Sequence, residues 1–274
     1  MTTTDPNTIL PILPNELEPH IVTFLDRVRF ALEGEDDCEV AWFLREYPRI
    51  FRYHSYHARS RLAEIHAAYV RAGARFKKRI EESPESYAFS EGRGETYQIY
   101  WNFEAYLGAV SSALDTIARI LTAAHIEHTP VSFNKLCSRN VSSPLVEILR
   151  KAKKAWVDRT KDYRDCFVHY TPIDHEPRIF VEQHVSQWRI QCPLPRNPNA
   201  REISDFRFRP RLDLLVYSLA VFENLRKLDV SIARELSRMR RAGSFPTRRW
   251  HLFQVGQRDR ESPSNKAFQQ PEKK

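Results

Sequence analysis

The chain has 274 residues, 42% hydrophobic and 12% aromatic, which suffices for one large domain or two small ones around a substantial core. Seven glycines disfavour sandwiches, barrels and glycine-rich nucleotide loops. The net charge of +8 is uneven, because residues 201–260 hold 14 Lys/Arg against 7 Asp/Glu; this suits a solvated helix face and tail, or attraction to a polyanion such as RNA.

In chain order, residues 1–13 read as extended, with Pro6, Pro11 and Pro14 opposing helix. The start at Met1 shows no basic region followed by an apolar run, so no signal peptide is expected, and no stretch reaches the ~18 apolar residues of a membrane span. A helical domain is expected over 14–241. Asn15 is the expected cap of a helix to about Glu33, with Ile21, Phe24, Leu25, Val28 and Leu32 on one face. A short helix from about Asp37 to Tyr47 is expected to end at Pro48, and a longer one to run from Arg49 to Glu82. The latter carries His54 and His57 on one face, but no carboxylate at ligand spacing, so no metal site is assigned. Ser83 to Gly94 reads as a loop.

The clearest pattern lies between Glu95 and Ala124. Tyr100, Phe103, Leu107, Val110, Leu114, Ile117 and Leu121 alternate steps of three and four, the seam of a helix packed on a nearly antiparallel partner. Beside it runs a polar stripe of Glu104, Gly108, Ser111 and Asp115, which fits either a solvated flank or a cleft lining. A short helical piece is expected at Phe133–Cys137. Ser142 or Ser143 then caps a long helix with Pro144 in its first turn. Leu145, Leu149, Ala152, Trp156, Tyr163, Phe167 and Tyr170 form its buried seam, and Pro172 stops it. Alternating apolar positions between about 177 and 209 predict a small β-hairpin or three-stranded meander. A last helix is expected from about Pro210 to Arg241, and the Arg-, Gln-, Ser- and Pro-rich residues 242–274 read as a disordered basic tail. The four cysteines (Cys38, Cys137, Cys166, Cys192) are far apart with no C-x-x-C pair, which argues for a reducing, cytoplasmic setting without structural zinc.

The long helix ends in Lys161-Asp162-Tyr163-Arg164-Asp165-Cys166-Phe167-Val168-His169-Tyr170. Four Arg/His pairs in this chain have the same five-residue offset (Arg49/His54, Arg52/His57, Arg61/His66, Arg164/His169), where roughly one is expected by chance. Only Arg164 is followed at once by an acidic residue near the end of a long helix. This Arg-Asp-x3-His segment resembles the R-x4-6-H signature of HEPN domains. The resemblance covers about 95–241 and implies an antiparallel helical bundle, here with a β insertion that a minimal HEPN domain lacks. It further implies a homodimer whose motifs face each other across a cleft. The implied activity is a metal-independent endoribonuclease of stress, defence or toxin type, without cofactor. The alternative is an inactive module that binds a protein, a nucleotide or RNA. A Tyr two residues after the His, frequent in the toxin branch, is Thr171 here, with Tyr170 directly after His169.

Metal-free RNA cleavage needs a base for the 2′-hydroxyl proton, positive charge at the five-coordinate phosphorus, and a proton for the leaving oxygen. His169 titrates near neutrality and suits either proton transfer. Arg164 presents a charged fork that matches phosphate oxygens. Asp165, one turn before His169, is placed to orient its imidazole. Glu104, Ser111, Asp115 and Tyr170 are the candidate cleft lining. Arg164 and His169 point roughly 140° apart on an ideal α-helix. They converge only if the helix end loosens or a second chain completes the site. A purely structural role is the other reading, with Arg164 paired to Asp162, Asp165 or a neighbouring helix and His169 suiting the negative helix end.

Overall fold

A computed structural model describes residues 12–15, 18–32, 38–82, 93–125, 132–170, 180–184, 187–200, 202 and 205–243. The fold is mainly α with a small β insertion before the last helix, as the sequence predicts. Helices α1 (His20–Leu32), α2 (Cys38–Glu82) and α3 (Arg93–His125) are followed by the short α4 (Phe133–Ser138). The motif run comprises α5 (Pro144–Ala152), a π-helical turn (Lys153–Val157), α6 (Asp158–Asp165) and a second π-helical turn (Cys166–Tyr170). Helix α7 (Leu214–Arg241) closes the described fold.

Helix α3 is the centre of the core. All seven predicted seam residues from Tyr100 to Leu121 are buried. Helix α2 makes the most extensive packing against it, and Arg61 of α2 donates to Asn102 at 3.1 Å. The motif helix runs antiparallel to α3, because Tyr163 meets Phe103 while the later Phe167 meets Phe103 and the earlier Tyr100. Tyr106 ties α3 to α7 by donating to the Ser218 carbonyl at 2.7 Å.

The insertion is two short antiparallel pairs instead of one meander. Strand β1 (Phe180–His184) pairs with β2 (Gln187–Gln191), and β3 (Pro193–Pro195) with β4 (Phe208–Asp213). Proline at β3 lacks the donor that a longer ladder needs, and the β3–β4 register shifts between Pro193 and Pro195.

Several expected boundaries move. Helix α1 begins at His20 after Pro19, five residues beyond the expected Asn15 cap, because its first N–H groups are capped from α7. Helix α2 continues through Pro48, so the two helices expected on either side of it are one. The ring removes one intrahelical bond without ending the helix, and Pro48 is buried. Gly94 belongs to the first turn of α3 and not to the preceding loop. Helix α7 starts at Leu214, since Pro210 lies in β4. Residues 1–11 of the expected extended segment 1–13, the loop at 83–92, the stop at Pro172 and the tail from 244 onward lie outside the described residues.

Candidate functional site

Arg164 is the penultimate residue of α6, and its side chain is partly exposed. Its neighbours Tyr163, Cys166 and Phe167 are buried. Tyr163 anchors the helix by donating to the Pro195 carbonyl at 2.8 Å, and its ring lies 4.8 Å from that of Tyr217. Thr160 and Tyr217 share a hydrogen bond of 3.2 Å. The β insertion and the start of α7 therefore fix the face of α6 opposite the motif.

The Arg164 side chain is 38% exposed, and Nε and Nη2 both donate to Asp165 Oδ1, at 3.1 and 2.8 Å. The carboxylate next in sequence thus holds the arginine fork. His169 and Tyr170 lie in the π-helical turn; their backbone is described and their side chains are outside the described residues. A π-helix bonds residue i to i+5 where an α-helix bonds i to i+4. The widened turn therefore turns less per residue than the roughly 100° of a regular α-helix.

Charge around the motif is balanced. On α6, Arg159, Lys161 and Arg164 stand against Asp158, Asp162 and Asp165. Burial holds the Asp162 carboxyl above the usual range, and the neighbouring Asp158 and Asp165 carboxylates add to this.

The expected lining residues spread along α3. Glu104, one residue after Phe103, is half-buried at the level of the motif. Ser111 and Asp115 are also half-buried, but Asp115 lies three turns on, about 18 Å along the helix from Phe103. Its Oδ1 accepts the Phe133 N–H at 2.8 Å, so it ties α4 to α3. The structure groups Arg164 with Asp165, keeps Glu104 near their level, and sets Asp115 at the far end.

Among the described residues, no three His, Cys, Asp or Glu side chains cluster as metal ligands. On α2, burial holds His54 below its ordinary pKa, aided by His57 and Arg119, and Tyr53 lies edge-on to its ring at 5.3 Å. No helix among the described residues is long and apolar enough to cross a membrane.

One groove lies away from the motif. It holds about 610 Å³ between α1 and α7, and Arg27, Arg234, Arg238 and Arg241 line it. Sequence reading registered only the basic excess of the C-terminal third. The spacing of Arg234, Arg238 and Arg241, four then three, carried the signal for one helix face; no local pattern connects Arg27 to them. No family model matches this chain, and no curated protein or solved structure does so either.

Proposed function

We propose that the chain is a HEPN-like, metal-independent endoribonuclease of stress, defence or toxin type, acting as a homodimer through Arg164 and His169. The observation that carries this reading is the part-exposed Arg164 fork in the last turn of α6, directly before a π-helical turn that contains His169. π-helical turns inside longer helices recur at functional sites. In this reading Arg164 binds the phosphate as charge builds on it, and His169 moves the proton. Asp165 keeps the guanidinium in place until the phosphate arrives. The products are a 2′,3′-cyclic phosphate and a free 5′-hydroxyl.

A second reading is an inactive module that binds a protein, a nucleotide or RNA. The hold of Asp165 on Arg164 and the balanced charge of α6 favour it. Cleavage of a labelled, mixed RNA pool in EDTA separates the two. The nuclease reading expects cyclic-phosphate ends from the unmodified chain and none from His169→Ala. Absence of cleavage by the unmodified chain at high concentration selects the binding module. Equal cleavage by both proteins removes the motif from the chemistry.

A further inference from the structure

The groove between α1 and α7 has a charge pattern that the fold does not need. Arg234, Arg238 and Arg241 succeed one another at steps of four and three, so they share one face of α7 and span about 10 Å along it. Arg27 stands across from them on α1. All four are exposed. Glu235, the acidic residue in the lining, is gripped by Arg238, whose Nη2 lies 2.6 Å from Oε1 and whose Nε lies 2.9 Å from Oε2. Among the described residues, Arg27, Arg234 and Arg241 have no carboxylate partner.

Compensation of the helix dipole explains cations in the last turn of α7. It covers Arg238 and Arg241. It does not cover Arg234, two turns from Arg241, nor Arg27 on another helix.

We infer that this groove holds consecutive backbone phosphates of a single-stranded nucleic acid. One phosphate is best held by cations that converge on a point, whereas this groove is open and its cations follow one another along an axis. In sequence, Arg248, Arg249, Arg258 and Arg260 follow α7, with Asp259 and Glu261 beside the last two. The hydroxyls of Thr23, Ser231 and Ser237 donate to carbonyls of their own helices or flank, so the arginines carry recognition. Binding therefore reads phosphate and not base, and it is salt-sensitive and indifferent to sequence. The groove is separate from the motif. Tyr217, which packs on Tyr163, and Arg234 are about 25 Å apart along α7.

The test is fluorescence anisotropy of labelled oligouridine with the full chain carrying His169→Ala, so that binding is read without cleavage and stands or falls apart from the nuclease reading. Arg27→Ala/Arg234→Ala/Arg241→Ala is expected to bind at least tenfold more weakly, with a salt slope shallower by about 2. Arg71→Ala/Lys77→Ala/Lys78→Ala, on exposed positions of α2, removes the same charge and is expected to bind like the parent. Arg234→Glu alone is expected to weaken binding further than Arg234→Ala, and oligothymidine to bind like oligouridine. Thermal melts verify folding of each variant. Equal loss in the two triple variants, no loss in the groove variant, or displacement of the oligomer by inorganic phosphate at matched ionic strength overturns the inference.

Discussion

Asp213 joins three parts of the fold through one side chain. Its Oδ2 accepts the Tyr69 hydroxyl and the Cys192 N–H, each at 2.9 Å, and its Oδ1 caps α7 by accepting the Val216 N–H at 2.9 Å. Tyr69 in turn accepts the Leu215 N–H at 3.3 Å. Tyr69, Cys192 and Asp213 are buried, so truncation leaves the Tyr69 hydroxyl and Cys192 N–H without an acceptor where water cannot replace it. Asp213→Ala is expected to lower stability by about 3 kcal/mol, combining a lost helix cap with unsatisfied buried donors. Tyr69→Phe, which keeps the cap, is expected to cost roughly half as much. Urea unfolding of the two variants beside the parent measures both; an Asp213→Ala loss no larger than that of Tyr69→Phe would show that the cap carries no weight. None of this network was legible in the sequence, since no spacing rule links positions 69, 192 and 213. Single caps were only half legible. Ser143 occupies the expected cap position before Pro144, yet its buried hydroxyl makes no hydrogen bond, so the extended backbone and the proline set that helix start. At the motif, the pairing of Arg164 with Asp165 was among the foreseen arrangements because it needs only neighbouring residues.

Helix α1 is held by an acid from the other end of the fold. Asp229 on α7 accepts the His20 N–H at 2.6 Å and the Ile21 N–H at 2.8 Å, so a carboxylate sits at the positive end of α1. Burial raises the Asp229 pKa above its ordinary value, and the two backbone N–H groups only partly offset this. The folded chain therefore holds this proton more tightly than the unfolded chain. The Asp229 contribution is greatest below the unfolded carboxyl pKa and declines as pH rises through the folded one. Asp229→Asn keeps one acceptor oxygen and removes the titration. The stability difference, parent minus Asp229→Asn, is expected to shrink as pH rises from near 3.8 toward neutrality, read from urea midpoints across that range. A difference that grows over the same range overturns the assignment. The sequence placed α1 correctly but not its start, because the capping group is about two hundred residues away. The same limit applies to α2. A rule that ends helices before proline divides it at Pro48, while packing against α3 holds the helix together across the break. The first π-helical turn displaces the expected seam, since Ala152 and Trp156 are half-buried and Val157 is buried, whereas Leu145, Leu149, Tyr163 and Phe167 are buried as expected.

At the scale of the molecule, the apolar seam of α3 is what made the fold class readable. Its seven buried positions demand helices around them, and the interrupted alternation after residue 177 demands a β excursion. A site within one chain needs Arg164 and His169 on one face; the HEPN resemblance implies a site shared by two. The two arrangements differ in what mixed dimers can do. Suppose Arg164 of one protomer works with His169 of its partner. A dimer of one Arg164→Ala chain and one His169→Ala chain then has one dead composite site lacking both groups and one intact site. Either variant alone is inactive. Mixed at equal amounts and allowed to exchange, half the dimers are hybrid with one of two sites intact, so cleavage is expected to return to roughly a quarter of the unmodified level. If each site uses the Arg and His of one chain, every site in the hybrid lacks one group and no activity returns. The composite arrangement is the expected one, because the HEPN resemblance implies motifs that face each other across a dimer cleft. Titrating the ratio of the two variants at fixed total protein and following RNA cleavage in EDTA decides the matter: a maximum at equal amounts supports the shared site, and a flat, inactive profile places both groups in one chain.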